Sequence, residues 1–237
     1  MDDPMLAFQN TTVTKPQIIK KLKAHAKADD FIKGTYWENG KGCAVGCTIE
    51  SGNHIEYETR FGIPQMLARL EDCIFEGLSN GKAKAWPLRF MQAIKPGADL
   101  STVGWEFQHR LQINNLKFAQ KQKMPEDVIN AIKLVIDVLE PMAKGKPVDK
   151  SAAWSAESAA GSAARGAESA ASAARSAAWS AARGAESAAR SAESAARSAA
   201  ENAAWSAESA AENAASAAEN AAYEEMADLL IEIIEAH

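Results

Sequence analysis

Apolar residues recur every three to four positions along most of residues 12–148, which predicts a mainly helical domain. Thr14-Lys15-Pro16-Gln17 fits a capping box with an early proline, and Ile18, Leu22 and Ala26 follow on one face. A second helix opens at Gly62-Ile63-Pro64, turns Met66, Leu67, Leu70, Cys73 and Ile74 inward, and ends near Gly77. A third begins at Trp86-Pro87, runs through Phe90 and Ile94, and stops at Pro96-Gly97. A fourth starts near Ser101 and carries Val103, Phe107 and Leu111. A fifth starts at Pro125-Glu126-Asp127, carries Val128, Ile132, Val135 and Leu139, and ends at Pro141.

Residues 33–62 break this pattern. Six of the 14 glycines fall between Gly34 and Gly62, so the backbone there comes close to something. Asn39-Gly40, between Thr35-Tyr36-Trp37 and Cys43-Ala44-Val45, reads as a hairpin turn. Ala44 to Ile49 reads equally as a short helical turn. The fold class is therefore all-α, with room for one small β-hairpin near 34–49.

Beyond the linker Gly145–Asp149 the pattern changes to a repeat. Ser151 to Tyr223 parses into 20 units beginning Ser-Ala, Gly-Ala or Asn-Ala, 13 of four residues and seven of three. The mean, 3.65, matches one helical turn per unit. Each position in the unit is then a stripe: small polar residues, then alanine, then Trp, Glu or Arg. Gly166 and Gly184 fall in the small stripe, which suggests close approach by a neighbouring helix. The final turns bring a conventional apolar face, Met226, Leu229, Leu230, Ile233 and Ile234, that reads as an anchor on another copy or on the first domain. An unbroken helix over 151–235 would span about 130 Å. Self-association is favoured over a fold-back at a glycine such as Gly161 or Gly184. The expected organisation is a globular domain over 1–148 and an alanine-rich oligomerisation helix over 149–237. On that view, deleting 151–237 leaves a folded head.

Composition reinforces the division. Residues 1–150 hold all eight prolines and all three cysteines, with 21 Lys/Arg against 18 Asp/Glu. Residues 151–237 hold five Arg, no Lys and 13 acids, a net of −8. Neither half is strongly basic, which argues against nucleic-acid binding by bulk charge. No run of 18 apolar residues is present, so no membrane helix is expected. Three cysteines do not make a disulfide framework, and the N-terminus lacks the features of a secretory signal, so a cytoplasmic setting is expected.

Three chemistries suggest themselves. Cys43, Cys47, His54 and Cys73 have the ligand types of a Cys3His zinc site, although C-x3-C is not the usual knuckle spacing. As a nucleophile, Cys43 or Cys47 would need His54 as base and Glu58 to orient the imidazole. Tyr36, Trp37, His54, Tyr57 and Glu58 could line a pocket for a planar ligand. Against these stand small buried cysteines and core aromatics. Glu71 and Asp72 read as an exposed helix face. No motif for nucleotide hydrolysis, hydride transfer or acyl transfer is present, so a binding protein without a cofactor is favoured over an enzyme.

The segments GTYW (34–37), GCAVGCTIESGNH (42–54), FGIPQMLARLEDCIFEGL (61–78) and GADLSTVGWEF (97–107), followed by SAAW/SAAR/SAAE units, resemble a group of phage and prophage proteins. Those proteins pair this N-terminal domain with an alanine-rich tail of variable length. The resemblance implies a bacterial host cell and no catalytic assignment. By analogy of context it implies a counter-defence factor that binds a host protein or sequesters a nucleotide signal.

Overall fold

The computed structural model describes residues 6–9, 11, 13–146, 159, 162, 163 and 217–237. The described part is mostly helical with one small antiparallel hairpin, as the sequence predicts. The helices are α1 (Lys15–Ala28), α2 (Ala44–Ile49), α3 (Glu56–Phe61), α4 (Gln65–Gly77), α5 (Asn80–Ala93), α6 (Val103–Lys121) and α7 (Glu126–Ala143). Residues 217–236 are also helical. The strands are β1 (Trp37–Glu38) and β2 (Lys41–Gly42), with Trp37 opposite Gly42 and Glu38 opposite Lys41.

The chain divides into two compact units. The first contains residues 1–114, 136–148 and 219–237; the second contains 115–135 and 149–218. A boundary falls after residue 148, where the sequence places it, but 115–135 belongs to the second unit and 219–237 to the first. The chain leaves the first unit after α7 and re-enters it at Glu219, so the stretch 219–235 is an integral helix of the globular core and not the end of a free rod. Most of the repeat, including Gly161, Gly166 and Gly184, lies outside the described residues. In the second unit Ala119, Ile129, Ala131 and Ala163 are buried.

Local chemistry explains the elements of the first unit. Gln17 Oε1 accepts from the Thr14 backbone N–H at 2.8 Å, which supplies the reciprocal arm of the expected capping box. The hairpin and the short helical turn, alternatives in the sequence, both form in succession. Asn39 and Gly40 take φ of +51° and +83°, the left-handed pair that a two-residue hairpin loop needs. Cys43 Sγ then accepts from the Gly46 N–H at 3.4 Å and caps α2. All six residues of α2 are buried, and the helix packs against α1, α4 and α5.

Two boundaries differ from the sequence reading. The third predicted helix starts at Asn80, not at Trp86, and Pro87 sits inside it. Likewise α7 continues through Pro141 to Ala143. Trp86 and Pro87 are both buried, and tertiary packing outweighs the single N–H bond that a proline forgoes.

The core is built on Tyr57, Phe61, Phe75, Trp86, Phe90 and Phe107, all fully buried. Leu230, Ile233 and Ile234 join it with no exposed surface. Each such side chain contributes about 1.5–3 kcal/mol relative to an exposed one. The Tyr223 ring lies where a Cβ on Gly77 would be, so Gly77 is the notch that admits it. Ion pairs Arg89–Asp228 at 2.7 Å and Arg110–Glu232 at 2.6 Å rim the same helix.

Candidate functional site

The glycines of 42–46 seat one peptide. A Cβ on either Gly42 or Gly46 would overlap the carbonyl oxygen of Tyr36. The Cys43 N–H donates to the carbonyls of Thr35 at 2.8 Å and Tyr36 at 3.2 Å. The Thr35–Trp37 strand entry is thereby pressed onto the start of α2. That docking sends the two aromatic side chains to different surroundings. Trp37 packs against the core and meets His25 edge-on, with ring centroids 5.7 Å apart. Tyr36 remains 56% exposed and meets His54 edge-on at 5.3 Å and 89°. An edge-to-face contact suits the positive ring edge against the negative face.

Each histidine is backed by acid. His25 Nδ1 lies 2.9 Å from Asp30 Oδ2, and its Nε2 lies 3.8 Å from Glu50 Oε1. His54 Nε2 lies 3.7 Å from Asp72 Oδ2, both side chains being 14% exposed. That distance is an ion-pair approach, too long for a hydrogen bond.

Beneath Asp72 the neighbouring acid is fully enclosed. Tyr57 Oη donates to Glu71 Oε2 at 2.6 Å, and Trp86 Nε1 donates to the Glu71 carbonyl at 2.9 Å. Burial holds the Glu71 carboxyl well above the usual range; the Tyr57 hydrogen bond opposes this and the Asp72 charge adds to it. Burial, and then the Glu71 charge, push the Tyr57 phenol up as well. Glu71 Oε1 and Asp72 Oδ1 are enclosed with no hydrogen-bond donor.

These positions correct several expectations. Glu71 is not on an exposed face: it lies four residues after Leu67 and three before Ile74, on the inward stripe of α4. Cys73 is exposed, off that stripe, while Cys43 and Cys47 are buried. The four proposed zinc ligands are not brought together, and among the described residues no group of three or more His, Cys, Asp or Glu is arranged to hold a metal. The nucleophile arrangement is not assembled either. Cys47 Sγ faces the Gly42 carbonyl at 3.4 Å and that of Asp30 at 3.7 Å, and burial pushes its thiol up to about 12. Burial, then the Asp72 side chain, push the Cys43 thiol up further. A low-pKa thiolate, the form that attacks, is what such surroundings disfavour. Glu58 does not orient an imidazole: its Oε1 accepts from the Gln65 N–H at 2.8 Å, at the start of α4.

Of the five residues suggested for a ligand pocket, Tyr36 and His54 do meet. Tyr57 lies in the core below with Glu71, Trp37 turns to His25, and Glu58 serves α4. Sequence reasoning missed Asp72, Glu71 and His25 as members of this region. Of the proposed oligomerisation residues, Met226 and Leu229 are half-buried, and Leu230 and Ile233 fully buried, in the chain's own core. The anchor thus docks on the first domain, the second of the two expected destinations, and that face is spent within one chain.

No protein-family model matches the sequence, no curated protein matches it, and no solved structure matches its fold. No helix among the described residues is long and apolar enough to cross a membrane.

Proposed function

We propose that this is a non-enzymatic binding protein whose recognition face is centred on Tyr36. The observation that carries the reading is a large aromatic ring, more than half exposed, on a backbone fixed by Gly42, Gly46 and the Cys43 N–H. A rigid tyrosine offers contact area at small entropic cost, which is why tyrosines serve as anchors at protein interfaces. The ring is presented at the surface, more than half exposed, so a protein is the partner of choice. The resemblance to phage and prophage proteins supplies the setting: an accessory or counter-defence inhibitor acting on a host protein in the bacterial cytoplasm. Self-association through the alanine-rich repeat belongs to the same proposal and raises avidity by presenting several heads.

The test is retention of a host protein from bacterial extract on the immobilised full-length chain and on Tyr36→Ala. A protein held by the first and lost from the second, at equal thermal stability, supports the reading. Equal retention by both rejects it. The runner-up, a sponge for a nucleotide signal at the same Tyr36–His54 edge, is favoured if a nucleotide panel raises the melting temperature of the wild type and not of Tyr36→Ala.

A further inference from the structure

The surroundings of Asp72 describe what this face recognises. Its carboxylate is nearly enclosed, and among the described residues the one basic group within ion-pairing distance is His54, at 3.7 Å. Three further cations of the first unit are engaged elsewhere. Lys21 pairs with Glu50 and Arg60 with Glu56, each at 3.0 Å, and Lys33 donates to the carbonyls of Glu76 and Leu78. Directly beside Asp72, the wholly buried Glu71 has its Oε1 without a donor, as Asp72 has its Oδ1. Asp72 is therefore the charged acceptor of this region: the Cys43 thiol and His54 face its side chain, and its Oδ1 has no donor, while buried Glu71 favours its neutral form.

The rim has the matching shape. A Cβ built on Gly52 falls 3.6 Å from the Tyr36 Cβ, so the glycine leaves the flank of the Tyr36 side chain open. Ile55, next to His54 in the chain, is 37% exposed. An aromatic face and an aliphatic side chain, with a carboxylate behind them, are complementary to a long side chain that is apolar along its stem and cationic at its tip.

We propose that the Tyr36–His54 edge takes a lysine or arginine side chain of the protein partner, its stem against Tyr36 and its cationic tip towards Asp72. This rests on the reading of the protein as a binder of another protein. The tip displaces the His54 edge and meets the carboxylate that His54 approaches without a hydrogen bond.

The probe is a set of three capped pentapeptides, Ala-Ala-X-Ala-Ala, with X lysine, arginine or norleucine, titrated to millimolar concentration into the full-length protein. The readout is the NMR shift of the Tyr36 and His54 ring signals. Saturable shifts with lysine and arginine, at least five times weaker with norleucine, are the expected result. Asp72→Asn, which keeps the side-chain shape, should weaken the lysine peptide at least fivefold, and Tyr36→Ala should do the same. Equal shifts from all three peptides, or no shift at these two rings, overturn the proposal. The two levels separate in the host-protein retention assay. Retention lost in Tyr36→Ala but kept in Asp72→Asn sinks the cationic anchor and leaves the binding reading standing. Retention kept in both sinks the binding reading.

Discussion

Tyr57 and Glu71 share a 2.6 Å hydrogen bond in which both side chains are completely buried. Only one of the Glu71 oxygens has a donor, and the carboxyl is held well above the usual range by burial. The neutral form is thus the one this core favours.

That bond has a pH signature. A carboxyl whose folded-state pKa is raised holds its proton longer in the folded protein than in the unfolded chain. Its contribution is complete below the ordinary carboxylate range and is lost as pH rises towards the folded value, with a limiting slope of about 1.4 kcal/mol per pH unit. Urea unfolding of the wild type and Glu71→Gln across pH 4–8 should show the wild type losing stability relative to the variant as pH rises. Parallel curves would mean that Glu71 is not protonated preferentially in the folded state.

Gly46→Ala should destabilise the first unit by about 1–3 kcal/mol, because the methyl group meets the Tyr36 carbonyl and not a movable side chain. Gly52→Ala is the control. Its methyl would make only an ordinary 3.6 Å contact with Tyr36, and the change in unfolding midpoint should correspond to less than about 0.5 kcal/mol.

Thiol chemistry should count one accessible group. Cys73 is exposed, whereas Cys43 and Cys47 are buried. Burial also raises the Cys73 thiol, so the assay belongs at mildly alkaline pH. A disulfide reagent should titrate one thiol quickly in the native protein and all three in denaturant. Fast reaction of two or more native thiols would contradict the burial of α2 and its cap.

The helix of 219–236 should be indispensable to the first unit. Leu230→Ala should cost about 2–5 kcal/mol, as for other fully buried leucines. Deleting 151–237 should leave a chain with no cooperative thermal transition, contrary to the expectation from sequence alone. Replacing only 151–216 with a long glycine-serine linker should preserve the transition. Circular dichroism on the two deletions separates these outcomes.

What the sequence showed and hid follows from the physics of each feature. Helical periodicity located α1, α4 and α6 well, because one apolar face against a core is a strong signal. Asn39-Gly40 marked the hairpin because few residues tolerate two successive left-handed conformations. Pro87 misplaced the start of α5, since a helix breaker is a local preference that burial of Trp86 overrides. Tyr36 and His54 were legible as residue types on a glycine-rich stretch, but their contact depends on the seat made by Gly42 and Gly46. Glu71 was hidden by its charge. Its spacing from Leu67 and Ile74 already placed it inward, and the buried hydroxyl of Tyr57 that accommodates it comes from 14 residues away. The destination of the Leu230 face was also open, because an apolar stripe states that it will be covered and not by what.

The return of the chain to the first unit at Glu219 also sets an order of events during synthesis. The pocket that receives Leu230, Ile233 and Ile234 is translated before residue 149, and its filling follows residue 218. At about 5–20 residues per second, the ribosome spends roughly 4–14 seconds on the intervening stretch while that apolar surface stands open. The intervening stretch therefore adds a delay to synthesis. Its length fixes how long a nascent head must stay soluble, or be held by a chaperone, before its own chain can close it.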